Sequence, residues 1–181
     1  MTFARRSRFQ LIAVQSTLLA WVLACGADPR LSELLELPPA PAPRLVVRDQ
    51  ECRDRVPTAA YARRAEERAH LRLERYPYDP DDGLRGALLL LEARRCFERA
   101  GYPSDAARLS TAAAKVVSRL KSDFAAAHVA LEHALREEDW AGALHHSRWF
   151  LAFVERGESD PYIEWVRGVA SRVATYVDAG R

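Results

Sequence analysis

The chain has 181 residues, with 27 Lys+Arg against 25 Asp+Glu and a formal charge of +2. Residues 1–24 hold three arginines and no acid, which leaves 24 basic against 25 acidic side chains in the rest. The basic excess therefore sits at the N-terminus and gives no electrostatic footprint for nucleic acid, while the length suits one domain with a real core. Ala, Leu, Arg and Glu, all good helix formers, dominate the composition.

The first element is Arg5, Arg6 and Arg8 followed by an apolar run from Leu11 to Ala24, closing on Val22-Leu23-Ala24-Cys25. A positive start, a short apolar stretch and a small residue before a cleavage point are the parts of an export signal. The run falls short of the roughly 20 apolar residues a membrane-spanning helix needs. Its end resembles the lipobox of bacterial lipoproteins, in which Leu, a small residue, Gly or Ala, and Cys follow one another. Val22 stands for the Leu, Ala24 and Cys25 match, and Leu23 is bulkier than the family pattern. The resemblance implies cleavage before Cys25, a diacylglycerol thioether on its sulfur and acylation of the new N-terminus, a lasting anchor with two or more chains. It also implies, from Gly26 where some bacteria place a retention Asp, an outer-membrane location facing the periplasm. An ordinary signal peptide with a chance cysteine, and an apolar N-terminal helix on a cytoplasmic protein, are the alternatives.

Residues 25–57 read as a lipidated cysteine and tether. Leu31 to Leu37 is expected to make one or two helical turns, and P-P-A-P-A-P from Pro38 to Pro43 favours a semi-rigid extended spacer. Arg44 to Arg48 reads either as a strand-like segment or as the approach to the first helix. The cysteine count of three, Cys25, Cys52 and Cys96, is odd. Assigning Cys25 to lipid leaves Cys52–Cys96 as a disulfide in an oxidising compartment, with two buried free thiols as the alternative.

From residue 58 to 181 the helical period dominates, and an all-α domain of about six helices is predicted. The first starts at Pro57-Thr58, carries Ala62, Ala65, Ala69 and Leu73 on one stripe, and stops at Tyr76-Pro77-Tyr78-Asp79-Pro80. The second opens at Asp81-Asp82-Gly83. Its segment Ala87 to Leu91 is apolar all round and is expected to sit centrally. Gly101 ends it. A third helix from Pro103-Ser104-Asp105 carries Ala106, Leu109, Ala113, Val116 and Leu120 inward. A fourth is expected to be capped by Ser122-Asp123, with Phe124, Ala127, Leu131 and Ala134 or Leu135 inward. After a tight corner at Glu137-Glu138-Asp139, a fifth has Trp140, Ala143, Leu144, Ser147, Leu151 and Val154 on one face and ends at Gly157. Asp160-Pro161 starts the sixth, striped by Ile163, Val166, Ala170, Val173 and Val177.

Within Ala127 to Val154 the residues resemble a tetratricopeptide repeat. Ala130, Leu131 and Ala134 fall where that family places small and medium apolar residues. Glu138-Asp139-Trp140 matches its Gly-Asp-Tyr turn with Glu138 departing from Gly. Ala143 falls on its near-invariant alanine, and the closing proline is late, at Pro161. The pair Gly83 to Leu120 matches loosely. The resemblance implies antiparallel helix hairpins stacked as a short solenoid; a plain helical bundle is the alternative.

For chemistry, His128/Glu132 and His133/Glu137 are i, i+4 pairs, about 140° apart around the axis, so one metal site would need a partner helix. Neither a metal nor a cofactor is expected. Asp79-Pro80-Asp81-Asp82-Gly83 lacks the alternating ligands of a calcium loop and reads as a helix cap. No catalytic motif points to an enzyme. The candidate for a partner is the side of the fifth helix opposite its stripe. Counting from Trp140 puts His145 near 140°, Trp149 near 180°, Phe153 near 220° and His146 near 240°, roughly together. These four either pack on Tyr162 and Trp165 of the next helix or line a binding groove. The expected function is a membrane-anchored periplasmic adaptor or assembly factor for an envelope complex. Secretin pilotins and barrel-assembly lipoproteins are similar in build. The competing reading is a periplasmic enzyme or metal-binding helical protein.

Overall fold

A computed structural model describes residues 38–154 and 160–179, and these form an all-α domain. The helices are α1 (Ala59–Arg75), α2 (Pro80–Arg99), α3 (Pro103–Arg136), α4 (Trp140–Ala152) and α5 (Pro161–Ala179). The N-terminal segment with Cys25, the Leu31 to Leu37 turns and Gly157 lie outside the described residues.

Local chemistry sets the helix ends. Thr58 Oγ1 accepts from the Tyr61 amide at 3.1 Å and Asp79 Oδ1 from the Asp81 amide at 3.0 Å. Asp139 Oδ1 accepts from Gly142 at 2.9 Å and Asp160 Oδ1 from Tyr162 at 2.8 Å. Each satisfies an amide that the first helical turn leaves without a partner. Pro80, Pro103 and Pro161 occupy the first helical position, where a missing N–H is harmless. So the Asp79 to Gly83 cluster is a cap, as expected, with Asp79 rather than Asp81 in the capping role. Gly101 leaves α2 at φ +83°, and Glu138 takes φ 55° in the α3–α4 corner, a left-handed position that glycine fills more easily.

Each helix packs on the next in sequence, and α2 also touches α4 across α3. The alanine stripe of α1, Ala62, Ala65 and Ala69, is fully buried against α2, and Ala106, Leu109 and Ala113 of α3 close the other side. A second set, Phe124, Leu131, Phe150, Phe153, Tyr162, Ile163, Val166 and Val173, fills the space between α3, α4 and α5. The Phe124 and Phe150 rings stack at 4.5 Å, with Phe153 edge-on to Phe124 at 5.7 Å.

Two expectations are corrected. The third and fourth predicted helices are one helix, α3, of 34 residues, so the described residues hold five helices rather than six. No Gly or Pro interrupts the run after Pro103, and Asp123 caps nothing. Its carboxylate instead accepts the Tyr76 hydroxyl, from the end of α1, and lies 3.6 Å from Arg119 Nε. A local cap signal lost to a tertiary partner. The buried face of α4 is also turned by roughly 60° from the predicted stripe. Ala143, Ser147, Phe150 and Phe153 are buried, whereas Trp140, Leu144, Leu151 and Val154 are half-buried.

Residues 41–54 form no regular element. Cys52 is bonded to Cys96 of α2, with a Cα–Cα distance of 4.9 Å. Asp49 receives hydrogen bonds from Arg94 at 2.7 Å and Arg95 at 2.5 Å, and Arg99 Nη1 donates to the Cys52 carbonyl at 3.3 Å. The stretch Asp49–Arg53, expected within the tether, is thus a strap fixed along α2. The disulfide points to an oxidising, extracytoplasmic compartment. No helix among the described residues is long and apolar enough to cross a membrane.

Candidate functional site

The strap, α1 and α2 enclose a cleft of about 490 Å³. From α1 come Arg68, Leu71, Arg72 and Arg75, and from α2 Arg85, Leu88, Leu89 and Glu92. Both sets keep i, i+3, i+4, i+7 spacing, so each is one helix face. The strap adds Gln50 and Arg53. The cleft runs on between α2 and α4, where Asp81, Leu84, Arg85 and Leu88 face Arg148, Leu151, Ala152 and Val154. It ends against α5, where Pro80, Ala141, Leu144, His145, Arg148, Trp149, Ala152 and Val177 line a third section. Arg85 and Leu88 belong to the first two sections, and Arg148 and Ala152 to the last two. The three sections therefore adjoin one another through shared side chains, and together they make a furrowed surface with a leucine floor and six arginines along it.

Its electrostatics rest on two buried carboxylates. Asp82, 5% exposed, accepts from Arg72 Nη1, from Arg75 Nε at 2.6 Å and from Arg75 Nη2 at 3.2 Å. Those hydrogen bonds, Arg75 first and then Arg72, hold its carboxyl far below the usual carboxylate range. In return they orient two guanidinium groups at the rim. Glu92, 2% exposed, accepts the Tyr61 hydroxyl at 2.7 Å, and Arg53 Nε lies 3.7 Å from its other oxygen. The bond to Glu92 raises the Tyr61 hydroxyl above its ordinary pKa. Arg85 Nε sits 2.8 Å from Asp81. In the first section, five arginines thus face Glu92 and the adjoining Asp81 and Asp82, and the positive excess remains.

Of the four residues singled out on α4, the structure brings two into the furrow. His145 is exposed and Trp149 half-buried, and their rings stack at 6.0 Å with 27° between planes. His146, half-buried, lies beside His145 with ring centroids 5.0 Å apart; burial, then the neighbouring His145, lowers its pKa. Phe153 is a core residue, 1% exposed. Tyr162 and Trp165 pair with each other, not with Trp149; Tyr162 also meets His128 and Phe150. His128 Nε2 sits 2.9 Å from Glu132, and no group of three metal-ligating side chains occurs among the described residues.

Sequence reasoning missed the arginines and leucines of the furrow. The available signal was the paired spacing R-x-x-L-R-x-x-R in α1 and R-x-x-L-L-x-x-E in α2, which on isolated helices reads as a solvated face. Guanidinium donors above leucine methyls equip the furrow for binding an anionic, partly apolar ligand.

Fold and site together define a disulfide-tied, five-helix domain with an arginine-rimmed furrow. No known protein family, curated protein or solved structure matches the chain.

Proposed function

We propose that the protein is a periplasmic adaptor or assembly factor, lipid-anchored through Cys25, that holds another envelope protein in this furrow. It acts by binding, not by catalysis. The observation that carries the reading is that the three sections, on α1, α2, α4 and α5, adjoin through shared side chains. A concave surface made from several helices is how stacked helix hairpins take partners, and the TPR-like reading of the α3–α4 corner fits that use. The disulfide agrees with export, and the lipobox-like ending at Cys25 with anchoring. The test uses the full-length protein with a photo-crosslinking amino acid at Leu88, at Leu151, or at Val129, which is 59% exposed on α3. The same partner should be captured from the first two positions and not from the third. Capture from none, or equally from Val129, refutes the adaptor. In parallel, Cys25→Ala should move the protein out of the membrane fraction; retention after a high-salt wash refutes the anchor.

A further inference from the structure

We infer that the occupant of the furrow is an acidic amphipathic helix of the partner protein. Its apolar stripe lies on Leu71, Leu88 and Leu89, and its carboxylates meet Arg53, Arg68 and Arg85. The inference rests on the adaptor reading and names the partner's chemistry.

Charge decides the sign. Five arginines line the first section against Glu92 and the adjoining Asp81 and Asp82, so a positive excess remains at the rim. Arg72 and Arg75 spend part of their donors on Asp82, and Arg85 bonds Asp81. Each guanidinium carries five N–H groups, so donors remain for an incoming anion. These arginines are also held in place before any ligand arrives, which lowers the ordering cost of binding. A cationic or neutral helix would leave this field unanswered.

The floor decides amphipathicity. Leu71 is 58% exposed, and Leu88 and Leu89 are half-buried with no helix above them. An apolar stripe on the ligand covers them. The backbone decides the conformation. No strand edge occurs among the described residues, so the furrow has no ladder to receive an extended peptide, and a helix satisfies its own amides and carbonyls. Shape argues against a bilayer surface, because a flat sheet of headgroups cannot enter a furrow, whereas a helix about 10 Å across presents a convex face. From Asp81 to Glu92 the α2 wall rises about 16 Å, so the occupant spans roughly three turns.

The probe is a synthetic peptide of about 14 residues, long enough for those three turns. It has leucines at i, i+3, i+4 and i+7, glutamates on both flanks, and a fluorophore at one end. Companion peptides carry Gln or Lys in place of Glu. The Glu peptide should bind about tenfold tighter than the Gln peptide, the combined effect of three modest exposed pairs, and raised salt should erase the difference. The variant Arg53→Gln/Arg68→Gln/Arg85→Gln, which leaves the Asp82 partners in place, should lose the preference and stay folded, with only a small fall in melting temperature from the lost Arg53–Glu92 and Arg85–Asp81 pairs. Equal binding of Glu and Gln peptides, preference for Lys, no binding, or an undiminished triple variant overturns the proposal. So does displacement of the Glu peptide by phosphatidylglycerol vesicles alone, or by self-association of the protein in sedimentation. The adaptor reading fails separately. A partner crosslinked at Leu88 that the Glu peptide does not displace refutes the acidic helix and leaves the adaptor standing. Arginine-dependent peptide binding with no crosslinked partner does the reverse.

Discussion

Reducing the Cys52–Cys96 bond should cost the domain about 4 kcal/mol of stability if the strap stays in place. The bond joins residues 44 apart in sequence, and the enclosed chain contains α1, the α1–α2 corner and most of α2. In the chain-entropy treatment, a crosslink closing a loop of that size withholds about 4 kcal/mol of freedom from the unfolded chain at 25 °C. The folded side changes little. Cys52 is 6% and Cys96 0% exposed, so both sulfurs stay in the core as thiols. The strap keeps Asp49 on Arg94 and Arg95 and the Cys52 carbonyl on Arg99. The loss therefore falls on the unfolded state and appears as global destabilisation.

The magnitude also reports on the strap. Exposed ion pairs such as those of Asp49 contribute only about 0.2–1 kcal/mol each. If they fail to hold the strap once the sulfurs part, the reduced native state gains the freedom of that segment, and the loss drops well below 4 kcal/mol. Urea unfolding followed by helical circular dichroism, with and without a phosphine reductant, measures it. A melting shift of roughly 10–15 °C accompanies the full loss. Hydrogen exchange at residues 49–53 distinguishes a closed strap from an open one. Mass mapping without reductant should find the Cys52 and Cys96 peptides linked. An unchanged urea midpoint with both thiols shown free would refute the reasoning.

Asp82→Asn should lower stability at neutral pH by about 1–3 kcal/mol, because the charged partner of Arg72 and Arg75 is lost. The folded carboxyl titrates well below its unfolded value, so its contribution is complete above about pH 4 and is lost as pH falls towards the folded value. The wild type should therefore weaken more steeply than the variant below pH 4, and parallel acid profiles would refute this. Gly83→Ala places a methyl 2.2 Å from the Tyr76 ring. That clash should outweigh the roughly 1 kcal/mol gain in helix propensity. Gly168→Ala meets only the tip of Arg172 at 3.3 Å and should be stabilising, so equal signs in thermal melts would contradict both placements. Phe153→Ala should cost about 3–5 kcal/mol as a core deletion, whereas Trp149→Ala should cost less and lower partner capture. A severe Trp149 loss with capture intact in the folded fraction would return that ring to the core.

What was legible in the sequence was what local chemistry decides. Alanines at i, i+3 and i+7 in α1, the corner at Glu137 to Asp139 and the Asp160 cap are short-range patterns, and each stands where it was expected. The cysteine pair followed from a count. The extra helix boundary failed because Ser122-Asp123 is a cap only when nothing else competes for the carboxylate. Tyr76, 47 residues away, competes, and a run without Gly or Pro has no other reason to stop. On α4 the wide apolar surface left the facing direction open, and the stacking of Phe124 on Phe150 chose it.

The furrow was hidden for a related reason. Whether an arginine stripe is a solvated face or the wall of a binding site depends on curvature, which belongs to the assembly of helices and not to any one of them. Yet α2 carried a sign of it. A segment apolar all round, Ala87 to Leu91, needs neighbours on every side. Helix α2 packs on α1 and α3 but only touches α4, so Ala87 and Leu90 are buried while Leu88 and Leu89 stay half-open on the unfilled side. The apolar surface of α2 that its own neighbours do not cover is the floor of the furrow, and the arginines of α1, α2 and the strap set the charge of whatever completes it.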